Sequence, residues 1–396
     1  MSSYVFNKAI LDPEVQDYIK NHASLDVHSV SLSKSPFSGV SSGELATQIK
    51  GRQTAAVKLP TWVKTPGIYY PPSLNLEQAS SEPLALYKTG LVQGKVLADL
   101  TGGFGVDSFF FSQRFERVHY CERDAYLATI ATHNFEQLGA PNVQVHAGDG
   151  MDILEEITSK GEDIDWIYLD PSRRGRGGKR IFRLSHYEPP VAELMPQLFS
   201  SSRHVLLKTA PMLDLTEGIK QLGNVREVHV IGFHNEVKEL LWKLEKAYAK
   251  APELIAVDLK YPSHPLRFTT SEESTSEAVF RMPMRYLYEP NASMLKAGAF
   301  KTTAQQYGLF KLHPSTHLYT SDSLIDFPGR RFEINKRLPY KPGKLAYRKA
   351  NVSCRNFPEP VATIRKRNRI KDGGTIYLFF VRCTDDSLCV LETEPV

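Results

Sequence analysis

The stretch 96–108, VLADLTGGFGVDS, decides the fold. A short apolar strand ends in Asp99, and Gly102, Gly103 and Gly105 form a turn into a helix that starts near Asp107. A second strand, RVHYC (117–121), runs into Glu122, seventeen residues after Gly105. Strand, glycine turn, helix, strand and terminal acid make a cradle for a nucleotide-like ligand. The glycines let backbone approach it, and the acid accepts protons from ribose hydroxyls. A tight strand–helix connection alone would look the same, so the ligand has to be argued from the residues around the turn.

A dinucleotide site asks for G-x-G-x-x-G, and here the third position is Ser108. Asp99, four residues before Gly103, puts a carboxylate inside the turn. That charge repels a pyrophosphate and suits a ligand with an ammonium group. S-adenosylmethionine carries an ammonium, a ribose and an adenine, and no phosphate. The D-x-x-x-G-x-G order with an acid ending the next strand therefore points to a class I methyltransferase. The expected cofactor residues are Asp99, Thr101, Gly103, Phe104, Gly105, Asp107, Glu122, Arg123, Asp149 and Gly150. Asp99 and the turn are assigned to the methionine part, Glu122 to the ribose and Asp149 to the adenine.

The following elements continue the pattern. DAYLATIATHNFEQLG (124–139) reads as a helix capped by Asp124, and VQVHAGDG as a third strand running to Asp149. DIDWIYLDPSRRG is a fourth strand ending at Asp170, HVLLKTA (204–210) a fifth, and VREVHVIGFHNEVKELLWKLEK two more around Asn235. Alternating strands and helices give an α/β fold, a Rossmann-like seven-stranded sheet. Asp170-Pro171-Ser172-Arg173 stands where class I enzymes acting on nucleic-acid bases carry Asp/Asn-Pro-Pro-aromatic. Serine replaces the second proline and Arg173 takes the stacking position, from which arginine stacks on a base or binds phosphate. Asp170, Pro171 and Arg173 are the candidate catalytic residues, although an Asp-Pro at a strand end can also be a simple turn. Carbon-5 methylation of uridine is disfavoured. It needs a nucleophilic cysteine after the fifth strand, where this chain reads LLKTAPMLD.

At 396 residues the chain should hold two or three domains. No apolar run approaches a membrane span, and MSSYVFNKAI does not read as a signal peptide. Four cysteines without paired spacing suggest a reducing compartment and no structural zinc, and the cytoplasm is expected. His119 and His146 read as packing residues. Neither a membrane nor a metal is expected as a partner, and the oligomeric state is left open. Net charge is +5, yet 329–371 carries 14 Lys/Arg against two acids, a local +12 that leaves −7 for the rest. The loop PSRRGRGGKRIFRLSHY after Asp170 adds six bases with no acid before Glu188. A charge run is usually a solvated face. Two of them, one beside the presumed acceptor site, suggest a polyanion gripped through its phosphates. The substrate-binding candidates are Arg174, Arg176, Lys179, Arg180, Arg365, Lys366, Arg367 and Arg369, with Phe332, Tyr340, Tyr347 and Phe357 as residues that could stack on bases.

Before the sheet lie two capped helices and a proline-rich stretch. Gln78, Ser80, Ser81 and Glu82 follow, placed either to close over a cofactor or to cap the next helix. After it, TTSEESTSE reads as a hairpin tip or exposed loop. The expected division is a helical segment over 1–80, the methyltransferase domain over 81–283, and two small α+β domains over 284–330 and 331–396. YEPNASMLKAGAF, LHPSTHLYTSD, FPGRRFEI and RNFPEPVATIRKRNRIKDGG resemble a bacterial class I S-adenosylmethionine-dependent methyltransferase family. That family carries a small ferredoxin-like domain and a C-terminal THUMP-like domain. The resemblance implies an RNA-directed enzyme, chiefly on tRNA. The alternatives are a non-catalytic RNA-binding module on the same scaffold, or a methyltransferase with a protein or small-molecule acceptor.

Overall fold

The structure, a computed structural model, describes residues 5–173, 184, 187–262 and 264–396. Two units divide the chain: Met1–Thr209 with Thr216–Asn224 and Trp242–Tyr248, and Ala210–Leu215 with Val225–Leu241 and Ala249–Val396.

The first unit opens with α1 (Pro13–Asn21), α2 (Val27–Leu32), α3 (Ser42–Lys58), α4 (Pro60–Lys64) and α5 (Ser73–Gln78). A reciprocal Ser41–Glu44 capping box starts α3. These helices share one core with the sheet region: Ile49, Trp62 and Tyr69 cluster with Phe104, Phe109, Ile130 and Phe135. After α6 (Glu82–Thr89) the chain alternates β1 (Val96–Asp99), α7 (Val106–Ser112), β2 (Arg117–Glu122), α8 (Ala125–Gln137), β3 (Val143–Ala147), α9 (Gly150–Ser159) and β4 (Ile164–Leu169). A two-residue antiparallel ladder, β5 (Ser172–Arg173) with β6 (Tyr187–Glu188), precedes α10 (Val191–Ser201) and β7 (Ser202–Thr209).

The strands run parallel in the order β3-β2-β1-β4-β7. The winding reverses between β1 and β4, and ligands of such sheets bind in the crevice beyond the strand ends at that reversal. As in other parallel sheets covered on both faces, β1 and β4 are nearly continuous apolar runs.

In chain order come α11 (Leu215–Leu222), β8 (Val225–Phe233), β9 (Glu236–Glu245), β10 (Glu253–Asp258) and β11 (Leu266–Thr269). His234 and Asn235, both at positive φ, make the turn from β8 to β9. All seven expected strands are therefore present: β1–β4, β7, β8 and β9. Two more extend the α/β pattern, β10 parallel to β8 and β11 antiparallel to β10. TTSEESTSE is not the expected loop. Thr269 and Glu272 form a capping box that starts a short helix, α12 (Thr270–Thr275).

The remainder of the second unit is one seven-stranded sheet in the order β13-β14-β12-β15-β18-β17-β16. Its strands are β12 (Tyr286–Pro290), β13 (Phe310–His313), β14 (Thr316–Ser321), β15 (Gly329–Pro339), β16 (Asn351–Arg355), β17 (Tyr377–Arg382) and β18 (Leu388–Pro395). With them go α13 (Ala292–Ala297), α14 (Lys301–Gln306) and α15 (Val361–Asn368). The eleven-residue β15 pairs with β12 on one side and β18 on the other. The two blocks expected over 284–330 and 331–396 thus share a single sheet.

One face of this sheet buries Leu287, Phe332, Phe379 and Leu391, the other Ile364, Leu378, Phe380 and Val390. Of the four aromatics that could stack on bases, half are expected in the core, and the structure ties all four into the fold. Phe332 is core, Tyr340 and Phe357 pack edge-on against Phe380, and the Tyr347 hydroxyl is bonded to Glu392. No helix among the described residues is long and apolar enough to cross a membrane.

Candidate active site

The crevice beyond β1, β2 and β4 holds a cavity of about 310 Å³. All ten expected cofactor residues line it, as does Asp170. The turn is held by backbone groups. Gly102 N–H donates 2.8 Å to the Cys121 carbonyl, and the Tyr120 hydroxyl donates to the Gly103 carbonyl at 2.5 Å. Gly105 stands at φ +83°, and a Cβ there would sit 2.7 Å from the Phe135 ring, so only glycine fits. Phe104 turns its ring inward beside Trp62.

The acids differ in what they are free to do. Asp99 is 1% exposed; Oδ1 accepts from Thr101 N–H at 3.0 Å and Oδ2 from the Ser108 hydroxyl at 2.5 Å. Burial pushes its carboxyl up to about 7, against the two hydrogen bonds, and the charges of Asp107 and Asp170 add to the rise. Its carboxylate is thus turned into the turn it supports. Glu122 accepts 2.8 Å bonds from Gly103 N–H and from Asp124 N–H, which fixes its carboxylate at the cavity wall. Burial raises it above the usual carboxylate range. Asp149 caps α9 through Met151 N–H at 2.9 Å. Burial pushes the Cys121 thiol far up, which leaves it a poor nucleophile.

Among the described residues, seven carboxylates line the cavity against one base, Arg123, which pairs with Glu188 at 3.2 Å. This donor set fits a cationic sulfonium with a ribose diol and rejects a pyrophosphate.

Asp170 ends β4. Its N–H donates 2.6 Å to Thr101 Oγ1, and its carboxylate pairs with Lys208 of β7. Lys208 is a site residue that the sequence reading missed; only the parallel pairing of β4 with β7 brings it there. Lys88 was missed too: it pairs with Asp107. Of the four residues placed before the sheet, Gln78 and Ser80 line the cavity. Glu82 does not: it accepts from Thr61 N–H and, at 3.1 Å, from the Thr61 hydroxyl at the start of α4. Pro171 follows Asp170 outside the cavity lining. Arg174, Arg176, Lys179 and Arg180 lie outside the described residues, as does the side chain of Arg173.

His119 Nδ1 and His146 Nε2 are 3.0 Å apart, and His119 Nε2 is 3.2 Å from Glu162. Burial lowers both histidines below the usual imidazole range.

The other substrate-binding candidates lie on and just after α15 in the second unit. Arg365 pairs with Asp372 and Arg367 with Glu359. Arg330 and Arg355 share the buried Glu289, Arg331 pairs with Asp326 and Lys336 with Glu392. Six of the fourteen bases counted in 329–371 are therefore matched by acids. The other eight, among them Lys366 and Arg369, are exposed and make no ion pair among the described residues.

Residues 286–328 match the model of a ferredoxin-like domain, and 329–394 that of a THUMP-like domain. The crystal structure of a protein from Porphyromonas gingivalis W83, assigned as a methyltransferase, covers 99% of this chain and 100% of its own, with TM-score 0.88 and 31% identity. An uncharacterised S-adenosylmethionine-dependent methyltransferase of Mycobacterium tuberculosis is 24% identical over 321 residues, 79% of this chain and 84% of the relative. The figures are the same for strains CDC 1551 and H37Rv.

Proposed function

The chain belongs to a bacterial family of class I S-adenosylmethionine-dependent methyltransferases with ferredoxin-like and THUMP-like domains, and from that premise we propose that it methylates a base of structured RNA, a tRNA or an rRNA. The methyl of S-adenosylmethionine sits on a sulfonium that is already a good leaving group, so the protein's work is placement. In this reading Glu122 holds the ribose, Asp149 the adenine, and the glycine turn the methionine part. Asp99 acts on that part through the turn it braces. Asp170, anchored through Thr101 and Lys208, accepts an N–H of the acceptor base and sets its nitrogen toward the methyl group.

The observation that carries the reading is Asp170 at the end of β4, in the same cavity as the cofactor acids. The eight exposed bases without acidic partners, in the segment matching a THUMP-like domain, support RNA as the acceptor. The two family-model matches also support the small-domain boundaries at 284–330 and 331–396. We place the enzyme in the cytoplasm, where its four free cysteines stay reduced.

The test is transfer of a radiolabelled methyl group to extracts of a strain lacking the gene, fractionated into RNA, protein and small molecules. Label in one RNA size class, absent with Asp170→Ala, is the expected result. Label only in protein or small molecules would overturn the RNA reading, and no transfer despite cofactor binding would favour the non-catalytic scaffold.

A further inference from the structure

Nothing in the sequence marks Lys88, yet its side chain at the end of α6 is 0% exposed. Its ammonium donates 2.6 Å to Ser80 Oγ and 3.2 Å to Asp107 Oδ2, and lies 3.0 Å from Asp107 Oδ1. Asp107 Oδ2 also accepts from the Ser80 hydroxyl at 2.9 Å and from the Tyr168 hydroxyl at 2.8 Å. Ser80, Asp107 and Tyr168 line the cavity, and Lys88 stands behind them. Three donors from three segments thus converge on one oxygen.

Burying an ammonium and a carboxylate costs about several kcal/mol per ion, and apolar residues of the same volume often pack a site at least as stably. An ion pair kept at the wall of a cavity that takes a cation therefore has a use beyond packing α6 on α7.

We propose that Lys88 is a positioning residue of the cofactor site: its ammonium locks Ser80 and Asp107 into one fixed wall whose carboxylate attracts the cationic cofactor. This rests on the cofactor assignment above. The charged and titratable groups facing Asp107 are Lys88 from α6, Tyr168 from β4, Lys208 from β7 and Asp99 from β1. Burial works to raise the Asp107 carboxyl, but Lys88 and then Lys208 hold it below the usual range. Without Lys88, burial and the neighbouring Asp99 drive it upward against Lys208 and Tyr168 alone, which favours its protonated form.

The test is calorimetric binding of S-adenosylmethionine between pH 6 and 9 to the wild type, Lys88→Met, Asp107→Asn and the double variant, with melting of the free proteins alongside. Lys88→Met is expected to bind about tenfold more weakly at pH 7 and to recover as pH rises. The double variant leaves neither charge unpaired, so it should melt near the wild type and still bind about tenfold more weakly at every pH. A merely structural lysine predicts that Lys88→Met binds like the wild type and that the double variant binds just as Asp107→Asn does. Either result would overturn the proposal, the second even if Lys88→Met fails to fold, because a lysine acting on the site leaves a lone ammonium that weakens binding of the cationic cofactor further in Asp107→Asn. A wild type that binds no S-adenosylmethionine would overturn the cofactor assignment itself, and the proposal with it.

Discussion

In the first unit, seven carboxylates among the described residues surround one cavity, and the backbone or buried partners hold Asp99, Asp107 and Glu122 in single geometries. In the second unit, fourteen bases crowd into 43 residues of sequence, and six of them are spent on acids of their own unit. The cavity works by fixed positions, the basic segment by charge left over. A small cation with a diol needs a few groups held in place. A polyanion needs a surplus of mobile positive charge and tolerates loose geometry.

The sharpest break between the two regions comes from Asp170→Ala. It should lower kcat about 100-fold or more, because the acceptor loses its anchor. The cofactor Kd, measured by calorimetry, should move by less than about twofold; a large loss of affinity would mean that Asp170 belongs to the cofactor and not to the acceptor.

Next in size is the combined Arg348→Gln, Lys349→Gln, Lys371→Gln variant, which removes exposed bases without acidic partners. RNA affinity should fall about tenfold at moderate salt, and the slope of log affinity against log salt should flatten by about 2. The cofactor Kd should stay unchanged.

Asp99 gives a smaller, opposite probe. Its carboxyl is raised to about 7 when folded, so the stability tied to its protonated form is full below the ordinary aspartate value and lost as pH rises through 7. A cationic ligand favours the ionised form. Cofactor binding should therefore release a proton near pH 7 and be roughly threefold weaker at pH 6 than at pH 8, read by calorimetry in buffers of different ionisation enthalpy. Uptake of a proton on binding would contradict the burial argument.

The smallest effect is expected from Arg365→Gln with Arg367→Gln. Both arginines already face acids, so RNA binding in a filter assay should change by less than about threefold. A loss as large as that of the Arg348/Lys349/Lys371 variant would erase the distinction between paired and surplus charge.

Much of the first unit was legible in the sequence because its signals are local. Asp99, the glycines and Glu122 lie within 24 residues, and the turn dictates where each goes. Lys88 and Lys208 were not legible, since their partners Asp107 and Asp170 are 19 and 38 residues away and meet them only through the packing of α6 and the pairing of β4 with β7. In the second unit the basic count was legible, but not which of its bases are neutralised. Glu289 and Glu392, which neutralise Arg330, Arg355 and Lys336, lie outside the counted stretch. The single seven-stranded sheet was hidden for a related reason: β15 reads as the start of a new block, while its partners β12 and β18 come from both sides of that boundary.

The measurement that bears most directly on this division of labour is the salt dependence of RNA binding, in parallel with that of cofactor binding, using tRNA and rRNA fragments from a strain lacking the gene. A steep fall of RNA affinity with salt, flattened in the Arg348/Lys349/Lys371 variant while the cofactor Kd holds steady, is the predicted result. RNA binding that ignores salt, or that falls equally in the variant and the wild type, would contradict it.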